Sequence, residues 1–107
     1  MADKKVFDRR VITKGAGIVR IEVWQNQQTM AITRYAMAYI NHGLCEVDNG
    51  RCVGFDNAHA YPDHPTKHHR HWMGVVSHNK RFASVDQTTV RFERILKWLK
   101  RRYAKRY

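Results

Sequence analysis

The chain has 107 residues, the length of a single domain (1–107) with a modest core and no room for a second. Its 20 Lys and Arg against 9 Asp and Glu give a formal net charge of +11, which favours a polyanionic partner, above all nucleic acid, over an uncharged substrate. No apolar run reaches the roughly 18 residues that a membrane-crossing helix needs. The opening MADKKVFDRR also lacks the apolar region of a signal peptide, so a cytoplasmic location is expected. There Cys45 and Cys52 are expected to be reduced and partly buried, and without CxxC spacing they make no zinc knuckle.

Residues 1–14 are polar and basic, with Val6, Phe7, Val11 and Ile12 the few apolar positions, and read either as a flexible basic arm or as an early strand. Gly15-Ala16-Gly17 signals a turn, because glycine tolerates the positive φ of tight turns. Residues 18–24 alternate, with Val19, Ile21 and Val23 on one side, which is the pattern of a half-buried strand. After the polar connector Gln25-Asn26-Gln27-Gln28, residues 31–40 alternate again, with Tyr35, Met37 and Tyr39 sharing a face. Asn41-His42-Gly43 interrupts this run as a bulge or short turn, and residues 44–47 are expected to resume it. Asp48-Asn49-Gly50 predicts a type I′ hairpin turn, and residues 52–55 the returning strand, with Val53 and Phe55 inward.

Residues 67–76 are predicted as a further strand, with His69, His71 and Met73 on one face and His68, Arg70 and Trp72 on the other. Ser77-His78-Asn79-Lys80 turns the chain and Arg81-Phe82-Ala83 is a brief extended piece. Ser84, with Gln87 three residues on, is a capping-box pattern that opens a helix. Val85, Thr88, Phe92, Ile95, Leu96, Leu99 and Tyr103 then form an apolar stripe, which is more often core than interface. Trp98 stands off that stripe, and basic residues from Arg91 to Arg106 fill the other faces, beyond what the helix dipole alone favours.

The chemistry concentrates in residues 55–72, FDNAHAYPDHPTKHHRHW, which hold five of the seven histidines with Asp56, Asp63, Lys67 and Arg70. Pro62 and Pro65 keep its middle from forming a regular element. Histidine titrates near neutral pH, so such a cluster can move protons, bind metal or bind phosphate. The segments Phe55-Asp56-Asn57-Ala58-His59, His69-Arg70-His71 and Arg81-Phe82-Ala83-Ser84, the last leading into an amphipathic helix, resemble the TumE-type toxins of bacterial toxin–antitoxin pairs. Trp24 closing one preceding strand, and Tyr35 and Tyr39 in the next, extend the likeness over about residues 18–99. Between Asn57 and His69 the chain departs from the family, with AHAYPDHPTKH in place of a short glycine-containing connection. The resemblance implies a toxin that acts on RNA and is inhibited by an antitoxin protein.

Three chemistries fit these residues. In a metal-independent ribonuclease, His69 and His71, side by side on a strand, would supply the base for the 2′-hydroxyl and the acid for the leaving oxygen. Lys67 or an arginine of the helix would stabilise the charge on phosphorus. Asp56 would orient a histidine and Asn57 would bind phosphate, although plain turn chemistry accounts for Asp56-Asn57 equally well. Alternatively, His64, His68, His69 and His71 with Asp56 or Asp63 would ligate zinc or nickel, though their spacing matches no established zinc pattern. Finally, a non-enzymatic RNA- or DNA-binding regulator would use the basic surface alone.

The residues together predict an α+β fold, an antiparallel sheet of four to five strands with the C-terminal amphipathic helix packed on it. The preferred function is a cofactor-free, toxin-like endoribonuclease with catalytic His69, His71, Asp56 and Asn57. RNA, preferred over DNA, would be held by Lys67, Arg70, Trp72, Arg91, Arg94, Lys97 and Arg101.

Overall fold

Period-two alternation builds a sheet, and the single long 3.6-residue periodicity builds the one helix that covers it. A computed structural model of the chain describes residues 3–57 and 68–107. Six strands, β1 (Asp3–Ile12), β2 (Ile18–Asn26), β3 (Ile32–Ile40), β4 (Arg51–Asp56), β5 (His69–Trp72) and β6 (Val75–His78), precede α1 (Val85–Arg102). They pair in chain order as an antiparallel meander. This is the expected α+β architecture, with more strands than the predicted four to five.

Two differences account for the count. Residues 3–12 form a strand paired with β2 rather than an arm. Residues 67–76 are not one strand, because Met73 and Gly74 take φ of 46° and 90° and fold the chain into the β5–β6 hairpin. Positive φ at both central positions is the geometry that a two-residue hairpin loop requires, and Met-Gly is a weak sequence signal for it. Residues 44–47, conversely, do not resume a strand. The backbone N–H groups of Leu44 and Cys45 both donate to the Asn41 carbonyl at 3.0 Å, so this segment coils back on Asn41. Asp48, Asn49 and Gly50 do adopt positive φ, but as a left-handed turn leading into β4 rather than as a two-residue hairpin. At the Gly15-Ala16-Gly17 turn the positive φ falls on Ala16, and Gly17 serves instead for close approach to the Tyr39 ring.

The core lies on one face of the sheet. Val19, Ile21, Tyr35, Met37, Tyr39, Val53 and Phe55 are buried there against Phe92 and Leu99 of α1. Phe55 and Phe92 meet edge to face with centroids 6.5 Å apart, a favoured geometry for aromatic quadrupoles. Ser84 caps α1 as expected, its Oγ accepting from the Gln87 N–H at 3.1 Å. The chain end packs against the first hairpin, where Tyr39 Oη and Thr13 Oγ1 donate to the Tyr107 carbonyl. Cys45 and Cys52 are both free thiols and buried, and burial pushes the Cys52 thiol up to about 11. No helix among the described residues is long and apolar enough to cross a membrane.

α1 lies chiefly over β3 and β4, so truncation where it meets them tests the packing. Phe92→Ala should lower unfolding stability in a denaturant titration by about 3–5 kcal/mol, the usual loss for a buried phenylalanine. A change below about 1 kcal/mol would mean that the helix does not close the core.

Candidate functional site

Strand alternation sorts the chemistry of this chain onto two faces. Across β3, β4 and β5 the register sets Met37 opposite Phe55, and Phe55 opposite Arg70, on the helix side. It sets Ala36 opposite Asp56 and Asp56 opposite His69 on the far side, with Ala38, Gly54 and His71 in the next row. His69 and His71 therefore share a face as expected, with Arg70 and Trp72 on the other. The cations of α1 lie across the sheet from the two histidines and supply no charge beside them. That corrects the expectation that a helix arginine serves a phosphate held there.

Among the described residues the cation beside the histidines is Arg51. Residue 54 is glycine where its side chain passes: a Cβ there would come within 2.8 Å of the Met37 carbonyl and 3.0 Å of Arg51 Cδ. Arg51 Nη1 consequently reaches 3.1 Å from both ring nitrogens of His71. Equal distances to the two nitrogens set the guanidinium on the ring face rather than in line with either lone pair. In line with them stand two carboxylates, Asp48 Oδ2 at 2.9 Å from Nδ1 and Asp56 Oδ2 at 2.9 Å from Nε2. Arg51 Nη1 lies 4.0 Å from Asp48 and 3.8 Å from Asp56.

Ionised carboxylates only accept hydrogen bonds, so both contacts of His71 are satisfied when both ring nitrogens carry protons. Two carboxylates, an imidazolium and a guanidinium then sum to zero, as groups withdrawn from water must nearly do to avoid a cost of several kcal/mol per ion. The left-handed backbone of the Asp48–Gly50 turn is what brings Asp48 to the ring, so this turn is part of the site. His69, fully buried, lies beside Asp56 with Nδ1 3.8 Å from Oδ1. Exposure is graded across the group: His71 retains 1% of its side-chain surface, Asp56 11%, Asp48 20% and Arg51 28%.

The remaining predicted site residues divide clearly. Asn57 accepts from the Tyr35 N–H at 3.0 Å and donates to the Thr33 carbonyl at 3.2 Å, so it ties the end of β4 to β3. Trp72 packs beside Trp98, their centroids 6.1 Å apart. Arg94, Lys97 and Arg101 are exposed on α1. Arg91 is half-buried, stacked 5.1 Å over Phe55 and donating to Asn79 Oδ1 at 3.2 Å. Burial, and then the nearby Arg81 and Arg70, hold the Arg91 pKa below its ordinary value. Arg70, Arg81, Arg91 and Arg94 are thus the second concentration of chemistry, on the helix side.

Lys67, His59, Asp63 and His64 lie outside the described residues. Among the described residues no group of three His, Cys, Asp or Glu side chains is arranged to hold a metal ion. His68 turns to the helix face, where it stacks on Phe82 with centroids 3.6 Å apart and its Nδ1 is 2.8 Å from Tyr35 Oη. Sequence reasoning missed Asp48, Arg51 and Arg81. The Asp48-x-x-Arg51 spacing was a usable signal, but the Asn49-Gly50 between them read as turn chemistry alone.

Removing the imidazole leaves Asp48 and Asp56 facing Arg51 without their bridge. His71→Ala should therefore cost about 3–5 kcal/mol in unfolding stability. The double variant His71→Leu/Asp56→Leu, which removes both charges, should recover part of that loss. If His71→Ala is neutral, the four groups are not coupled.

His68 provides a separate pH readout. Burial, and then His78, lower its folded pKa below the 6.5 of an unperturbed imidazole. The unfolded chain then binds the proton more readily, so stability falls as pH drops below about 6.5. His68→Phe keeps the stack on Phe82 and should flatten that decline in denaturant titrations. An unchanged pH profile would sink this assignment.

The profile of the family described as toxin TumE matches residues 2–103. Neither the curated proteins nor the solved structures provide a significant match to the chain. With the family profile spanning nearly its whole length, the chain belongs to the TumE toxin family.

Proposed function

We propose that this chain is the toxin of a toxin–antitoxin pair and that it cleaves RNA at the outward rim of the His71 cluster. The observation that carries this reading is the graded exposure of the four charged groups. Both nitrogens of His71 are occupied and its ring is enclosed, so its part is to position Asp48 and Arg51, the members that reach solvent. Asp56, with His69 beside it, holds the far nitrogen of the ring.

In this scheme the Asp48 carboxylate takes the proton of a ribose 2′-hydroxyl, and the 2′-oxygen attacks the adjacent phosphorus. The 5′-oxygen leaves and takes a proton from water, while Arg51 offsets the charge that builds on the phosphoryl oxygens. The net charge of +11 supports an RNA substrate, and Arg70, Arg81, Arg91, Arg94, Lys97 and Arg101 would hold phosphates other than the reacting one.

Expression of the protein should arrest growth. Asp48→Asn and Arg51→Lys, which keep size and most hydrogen bonding, should relieve the arrest in protein that still folds, though at a lower melting temperature because the cluster loses its charge balance, and EDTA should leave cleavage intact. Full toxicity in both variants would remove the rim from the mechanism. Arg94→Gln/Lys97→Gln should weaken RNA binding and lower the salt slope by about one unit per lost contact; an unaltered slope would take α1 out of the RNA path.

The burial of His69 and His71 also favours a second reading, a nucleic-acid binder without cleavage. Growth arrest with no RNA cut at any pH would select it.

A further inference from the structure

The sheet is covered unevenly. α1 lies over β3 and β4, whereas β1, at the end of the sheet, is exposed at every residue and pairs, among the described residues, only with β2. The register sets Phe7, Arg9 and Val11 opposite Val23, Ile21 and Val19, so these three belong to the inner, apolar face. Phe7 is nevertheless 47% and Val11 40% exposed. A hollow of about 830 Å³ opens between this strand and the second half of α1, floored by Val11, Val19, Ile21 and Leu96. Its rim carries Arg9, Lys97, Lys100 and Arg101, and Glu93 is the one acid along it among the described residues.

Long strand edges with apolar side chains beside them are normally blocked or covered, because they template pairing with another chain. Lys4, Arg10 and the irregularity between Lys5 and Phe7 discourage promiscuous pairing without blocking the remainder of β1. A cationic rim around an apolar floor selects further, rejecting basic or wholly polar segments and admitting acidic ones with apolar side chains.

We propose that β1 and the hollow beside it are the docking site of an extended segment of the partner antitoxin, in which apolar and acidic residues alternate. Added as a seventh strand, the segment turns its apolar side chains into the hollow above Val11 and Ile21. Its acids, on the opposite face of the added strand, meet Arg10, and its apolar side chains lie beside the rim formed by Lys97 and Arg101. The partner's identity rests on the toxin reading; its chemistry rests on the groove. Docking there covers two of the cations assigned to RNA, so the same contact that binds the partner withholds the substrate surface.

The test is selection of a random displayed peptide library on the full chain. Enriched peptides should alternate apolar with acidic residues and bind Phe7→Ser/Val11→Ser about tenfold more weakly. Both positions are exposed, so this variant should melt as the parent does. Peptides without acids, no enrichment, or equal binding to the variant would overturn the proposal. Oligouridylate, which needs the cations but not the apolar floor, should bind parent and variant alike. A matching loss of RNA affinity would assign the hollow to RNA and also overturn the proposal. Growth arrest is read separately: arrest without peptide selection removes the groove and leaves the toxin reading, and selection without arrest does the reverse.

Discussion

His71 sits between two carboxylates with a guanidinium on its ring face, and the far side of the sheet is arranged around that contact. It ties β5 to the Asp48–Gly50 turn and to the end of β4, which lie 23 and 15 residues earlier in the chain. Each group would be costly to bury alone, and together they offset one another. Gly54 leaves the room for the Arg51 side chain, so a missing side chain in the middle of β4 belongs to the site as much as the charges do.

The two faces then take separate tasks. On the helix face, aromatic stacking and apolar packing give the fold its core, and Arg91 of α1 meets Phe55 and Asn79 with Arg81 and Arg70 nearby. On the far face no helix among the described residues lies over the polar cluster. A net charge of +11 attracts polyanions over much of the surface, whatever their sequence. In the proposed reading, chemistry as opposed to mere binding rests on the few groups that are both positioned and exposed, Asp48 and Arg51.

Much of the fold was legible in the sequence because period two and period 3.6 are imposed by geometry. Val19, Ile21, Tyr35, Met37, Tyr39, Val53, Phe55, Phe92 and Leu99 all occupy the buried faces that their spacing assigns. The losses occurred where tertiary contacts override local pattern. Residues 44–47 are expected to resume a strand, but the Leu44 and Cys45 N–H groups bond back to Asn41, which is itself anchored by the Tyr39 hydroxyl and the Arg106 carbonyl. The Met73-Gly74 turn was hidden by a run that alternates through it. At the site, the shared face of His69 and His71 and their nearness to Asp56 follow from alternation and pairing. That Asp48 and Arg51 complete the group does not, because it depends on a left-handed turn and on the absence of a side chain at residue 54.

The central claim is that Asp48 and Arg51, held by His71, act on the ribose 2′-hydroxyl, and the ends of cleaved RNA report it most directly. Purified protein should cut a short single-stranded RNA to leave a 2′,3′-cyclic phosphate, and a 2′-deoxy substitution at the cut position should abolish cleavage there. The same assay with folded Asp48→Asn protein should give no product. A 3′-hydroxyl end, cleavage that survives the 2′-deoxy substitution, or full activity in Asp48→Asn would contradict the account.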